Sequence, residues 1–297
     1  MKVLALTLLL ADPGERTVAA WNRVVDATET RIARELSSSK GFLASEFLPR
    51  AERESLSRAF AAGEVFTTRL PVDFEIPGGM AHHWLGAVLV PGAEVEDLVR
   101  WLQEYDEHDE RFNDVEDSRL LARDGDRFEV FLRLRRKKIV TVHYATRHEV
   151  VYRSHGLGRY SSVSRATRIA ELEDAGTRDE RERPPGDDRG FLWRLHSYWR
   201  FQQVPSGVVV ECESLSLSRG VPAAVRWIVA PYLSSVPRES LESTLLPIRE
   251  RGRLAKNHLG TSLELSLEEG IAADGIGEGK PVGDDRGEVV LLFPHER

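Results

Sequence analysis

The order of segments predicts an α+β fold: a helix, then about seven antiparallel strands in succession, then a long C-terminal helix. Three observations carry this. Apolar residues recur at three- and four-residue spacing between Val18 and Leu36 and again between Val221 and Arg251. The stretches between are rich in Val, Leu, Phe and Thr and are cut by Pro-Gly and Asp-Gly turns. The connections are short, which favours antiparallel neighbours. A strongly curved sheet wrapped around the terminal helix is the simplest way to bury both.

At the start, Met1 to Ala11 (MKVLALTLLLA) has the form of a short secretory signal, one lysine followed by an apolar stretch. Cleavage is expected after Ala11, or after Ala20 in Val18-Ala19-Ala20. Residues 1–20 as a signal peptide would place the protein in the periplasm or outside the cell. A first β-strand of a cytoplasmic domain is the alternative. Residues 21–62 then form an N-terminal helical segment, with Val18, Trp21, Val24, Val25, Ile32 and Leu36 on one face and a shorter helix over Arg53–Ala62.

Strands are expected at Glu64–Phe74 and His82–Val90, around the turn Pro77-Gly78-Gly79. A helix over Glu94–Tyr105 follows, with Val95, Leu98, Val99 and Leu102 on one side. Ser118–Arg123 and Arg127–Arg135 flank Asp124-Gly125-Asp126 as a hairpin. Lys138–Tyr144, Arg147–Arg153 and Tyr160–Leu172 continue the sheet. Glu173–Arg189 holds seven acids and four arginines and reads as a solvated loop. In Gly190–Gln203, Trp193, Leu195, Trp199 and Phe201 share one parity, while Arg194, His196, Tyr198 and Arg200 share the other. Pro205-Ser206-Gly207 turns the chain into Val208–Ser218. The last helix is jointed at Pro231 and Pro237.

Composition narrows the function. The chain has 297 residues and a formal charge of -7, of which residues 256–297, with nine acids and four bases, carry -5. That glycine-rich acidic tail reads as disordered. The rest is close to neutral and has no basic groove, which argues against a nucleic-acid partner. One cysteine, Cys212, rules out a disulfide framework and multi-cysteine metal sites.

Several stretches resemble one superfamily. Val95 to Asn113 looks like a helical insertion after the first strands, and Val115-Glu-Asp-Ser-Arg-Leu-Leu like the return into the sheet. Trp199-Arg-Phe, Gly207-Val-Val-Val-Glu and the entry to the last helix at Pro222 look like a final hairpin and gripping helix. In these the sequence resembles the START-related lipid-binding and polyketide-cyclase superfamily, the helix-grip fold, over roughly Gly63 to Gly252. The implied domain is 63–255. The resemblance implies an apolar or amphipathic ligand held between sheet and helix, which some members cyclise or hydrolyse. It carries no invariant catalytic motif, so no catalytic residue is transferred.

The residues themselves show no nucleophile elbow, no His-Glu-x-x-His and no Walker loop, and no metal or cofactor is expected. Candidate lining for a hydrophobic ligand is Trp193, Leu195, Trp199, Phe201 and Trp227. Candidate polar groups are His82, Glu211 and Glu213. His82 and His83 are adjacent on a strand, point to opposite faces and cannot share one metal; each is expected to make a structural hydrogen bond. Glu211 and Glu213 share a face, either as an acid–base pair beside a ligand or, more simply, opposite Arg194 or Arg200. Arg135-Arg136-Lys137-Lys138 is a basic turn able to touch anionic headgroups transiently. The leading expectation is a protein that binds or transports a lipid-like or aromatic molecule. A cyclase- or hydrolase-type enzyme and a partner-binding module with a filled core are the alternatives.

Overall fold

The helix expected from Val18 runs from Glu15 to Leu36 (α1) in the computed structural model, which describes residues 13–137, 141–184, 186–220 and 235–251. A 3-10 turn (Ala44–Phe47) leads to α2 (Arg50–Ala62), closed by Gly63 at φ 66°. Then come β1 (Phe66–Arg69), β2 (Gly79–Pro91), α3 (Val95–Leu102) and the single turn α4 (His108–Arg111). The remaining strands are β3 (Val115–Asp124), β4 (Arg127–Lys137), β5 (Thr141–Gly156), β6 (Arg159–Glu173), β7 (Arg181–Glu182), β8 (Arg194–Val204) and β9 (Gly207–Arg219). Residues 235–251 form the last described helix, α5. Trp227 and the acidic tail fall outside the described residues.

All strands pair antiparallel in one open sheet, ordered β1-β2-β9-β8-β6-β5-β4-β3, with β7 also on β6. Among the described residues this is nine strands rather than about seven. The segments expected separately at Lys138–Tyr144 and Arg147–Arg153 belong to one strand, because Ala145-Thr146 contains no turn former and both edges stay paired. The first strand is shorter than expected, ending ahead of Pro71, which cannot donate to a ladder. β7 lies inside the acidic segment read as a loop and pairs Leu172 and Glu173 with Glu182 and Arg181.

Alternation along the strands divides the sheet into two faces. On one face α5 lays Leu241, Leu245 and Ile248 against Val88, Val210, Phe201 and Phe128. Gly86 permits this approach: a Cβ there would lie 2.6 Å from a Leu245 methyl and 2.7 Å from Leu241 Cγ. A helix lying on an open antiparallel sheet is the helix-grip arrangement that the sequence order predicts, and this side is called the grip face below.

The opposite face is covered by α1. Trp21, Val24 and Ile32 pack with Ala81, Tyr198, Leu215 and Leu217. The N-terminal helical segment thus packs directly on the sheet. The reason is its apolar stripe, which needs a partner, and the odd-numbered residues of β2 and β9 supply one. α1 also bears on the expected cleavage sites. Ala20 is fully buried and the Thr17 hydroxyl donates to the Pro77 carbonyl at 2.6 Å, so a cut after Ala20 would remove packed helix, whereas one after Ala11 would leave α1 whole.

Candidate functional site

Strand register places the aromatic candidates. Trp199 opposes Cys212 and Ser162, and Phe201 opposes Val210 and Tyr160, all on the grip face. The rings of Trp199 and Phe201 stack in parallel, 6.1 Å apart. Leu195 shares their face and lies opposite Ser216. Trp193 does not join them. It precedes β8, packs in the α1-side cluster and donates its indole N–H to Asp188 at 3.1 Å. Strict alternation fails there because the β8 ladder begins only at Arg194.

The grip face changes character along its length. Towards Val90 and Val208 it is apolar and closed by α3 and α5. Towards the middle of β2 it becomes a band of hydroxyls. Trp84, Ser214, Ser197 and Ser164 form one cross-strand row through β2, β9, β8 and β6. Gly86, Cys212, Trp199 and Ser162 form the next. Trp84, Ser164, Leu195, Ser197, Trp199 and Ser214 are only half-buried, although the strands carrying them lie inside the sheet. Between the two tryptophans the register places small side chains, Cys212 and Ser214, where a closely packed core would carry larger ones. The sequence reading missed this band. Its signal was the alternation Ser214-Leu-Ser216-Leu-Ser218, repeated in Ser162-Val-Ser164.

Two histidines belong to the same face. His82 lies opposite Ser216, and its Nε2 is 3.0 Å from the Ser218 hydroxyl. Burial, with the Arg69 charge adding to it, pulls its pKa down to about 4. His148 meets the hydroxyls of Thr146 at 3.0 Å and Ser164 at 3.3 Å, and burial likewise takes it to about 4. Both imidazoles are neutral at pH 7 and already hydrogen-bonded.

Glu211 and Glu213 lie elsewhere. Their odd positions in β9 turn them to the α1 face, so they do not share a cavity with Trp199 and Phe201. There α1 contributes Glu29, Arg31 and Glu35 to a buried ionic cluster. Arg200, directly opposite Glu211 as the pairing reading expects, donates instead to Glu35 at 2.5 Å and to the Phe42 carbonyl at 2.9 Å. Glu211 accepts from the backbone N–H groups of Ala44, at 2.6 Å, and Ser45. Glu213 is held by Arg31 and by His83 Nε2, the latter at 2.6 Å. Arg165 and the Tyr198 hydroxyl both donate to Glu29.

This cluster contains three guanidinium groups and four carboxylates, so ionising every acid leaves an excess negative charge underneath a helix. The two β9 acids respond differently. Burial raises Glu211 to about 7 against the pull of the Ser45 contact and Arg200. Burial also pushes Glu213 up, but His83, Arg31 and Arg200 together outweigh it and hold it below the usual range. His83 points both ring nitrogens at oxygens, the Glu213 carboxylate and the Pro71 carbonyl. In the basic run that starts at Arg135, Arg135 pairs with Glu116 and Arg136 with Asp114.

The fold defined by these elements is an α+β open sheet with α5 on the grip face and α1 over an ionic cluster behind it. No family model and no curated protein matches the sequence. Solved structures that match this chain include a STAR-related lipid transfer protein from Xanthomonas axonopodis, at 16% identity and TM-score 0.38, covering 60% of this chain and 98% of that one. A Zhui aromatase/cyclase from a Streptomyces species has 10% identity and TM-score 0.41, covering 59% and 94%. Human STARD10 has 11% identity and TM-score 0.40, covering 76% and 88%. At such identities, ligand and chemistry have to be read from this chain's own residues.

Proposed function

We propose that the protein binds a hydrophobic, lipid-like or aromatic, small molecule on the grip face, against Trp84 and Trp199. One observation carries this: Trp84, Trp199 and the serines Ser164, Ser197 and Ser214 are half-buried on strands that lie inside the sheet. A flat or chain-like apolar body would lie between the tryptophans, each buried Å² contributing about 25 cal/mol before ordering costs. The hydroxyls of Ser164, Ser197 and Ser214 would orient a single polar group, as a few polar atoms do in apolar pockets generally.

A reaction in the same place would have to run on His82 and His148, since the paired carboxylates lie behind the sheet. Both imidazoles are occupied by hydroxyls, and no carboxylate orients either ring among the described residues. Binding is therefore the reading favoured over a cyclase or hydrolase.

Titration with the apolar fluorophore N-phenyl-1-naphthylamine tests it. The wild-type chain is expected to bind with saturation near one equivalent. Ser214→Phe, which fills the row beside Trp84, should weaken binding about tenfold or more, equivalent to about 1.4 kcal/mol. Signal that never saturates, or equal affinity in a folded Ser214→Phe variant, would count against a ligand site there.

A further inference from the structure

The β5–β6 hairpin ends in Gly156-Leu157-Gly158, and Leu157 is 92% exposed. A lone exposed leucine on a protein surface is ordinary. This one is not placed by chance of packing. Its φ is 51°, flanked by Gly156 at 71° and Gly158 at 66°, a left-handed conformation that asparagine or glycine adopts more readily. The turn thus holds a large apolar side chain where backbone geometry favours a small or polar one. On the β4 side the tip stands beyond its neighbour, because the last contact there is the Tyr152 N–H with the Asp126 carbonyl.

The hairpin itself carries positive charge, and the nearest acid against it is Glu96, which meets the Tyr160 hydroxyl at 3.5 Å. From Arg153 to Tyr160 the hairpin carries two arginines and no acid. Arg159 lies over the Phe42 ring at 5.6 Å, and neither Arg153 nor Arg159 makes an ion pair among the described residues. On the adjacent β3–β4 turn, Arg123 and Arg127 balance Asp124 and Asp126, so the tip's two cations are not cancelled by that neighbour.

We propose that this tip is a membrane-contact finger, with Leu157 entering the acyl boundary of an anionic bilayer while Arg153 and Arg159 meet the headgroups. One leucine and two arginines make weak, reversible attachment, suited to brief contact. The proposal goes beyond ligand binding and does not depend on it.

Co-sedimentation of the full chain with ligand-free vesicles tests it. Binding to vesicles of phosphatidylcholine with 30% phosphatidylglycerol is expected, falling with added salt, and little binding to phosphatidylcholine alone. Leu157→Asn, which suits the left-handed turn and keeps the fold, should weaken binding about tenfold. Arg153→Gln should weaken it several-fold. Ser214→Phe should bind vesicles like wild type, so failure here and failure of the ligand reading are separable. No binding by the wild type, or equal binding by Leu157→Asn, overturns the proposal. So does self-association abolished by Leu157→Asn in the absence of vesicle binding, which would give the tip to a second copy.

Discussion

Arg200→Met is expected to lower the free energy of unfolding by about 3–5 kcal/mol, among the largest effects of any single substitution in this chain. Arg200 is 3% exposed and lies among Glu35, Glu211 and Glu213. Methionine fills most of its volume, so the loss is not chiefly a cavity. It comes from leaving carboxylates buried under α1 without their shared cation, and from orphaning the Phe42 carbonyl. Arg50→Ala provides the contrast. Its ion pair with Glu54 sits on a side chain 87% exposed, and its removal should cost under about 0.5 kcal/mol. Urea unfolding of both variants decides it. Equal midpoints would mean that the cluster does not hold α1 on the sheet.

The second large effect is loss of stability on acidification. His82, His108, His148 and His196 all have folded-state pKa values pulled by burial from 6.5 to about 4. Between those limits the unfolded chain binds protons at these sites that the folded chain refuses, so stability is present above pH 6.5 and is lost as pH falls towards 4. Glu211 acts in the opposite direction. With its pKa raised from 4.5 to about 7, the folded state holds a proton that the unfolded state releases, and its contribution declines as pH rises through 7. Glu213, held low, contributes above 4.5 and loses that only in stronger acid. Four sites against one give a net uptake of about two to three protons on unfolding near pH 5. Urea midpoints should level off above about pH 7 and drop between pH 6.5 and 5. Midpoints that stay level or rise over that interval would contradict this balance.

How much of this was legible in the sequence depended on the period of each element. α1, α3 and the strands announced themselves through 3.6- and 2-residue spacing, and the order of elements was enough to place a helix against an open sheet. Boundaries failed where a strand was ended without punctuation or carried through it. Pro71 cut β1 short, and two expected strands fused across Ala145-Thr146. The candidate site was half legible. Parity alone put Trp199 and Phe201 on one common face, as the strand register also has them. Trp193 does not join them, because parity means nothing before the ladder begins. Glu211 and Glu213 were paired correctly with each other, but which face they served depended on α1 covering the back of the sheet. That is a long-range fact: Glu35 and Arg200 are 165 residues apart. The serine band was visible as alternation and was passed over because serine is usually read as a surface residue.

The central claim, a hydrophobic ligand seated between Trp84 and Trp199, is tested most directly by native mass spectrometry of the purified protein followed by organic extraction. The expected result is a population heavier than the bare chain by one apolar molecule, recovered in the extract and missing from Ser214→Phe. A wild-type chain found only at its bare mass, with no saturable binding of an added apolar probe, would contradict it.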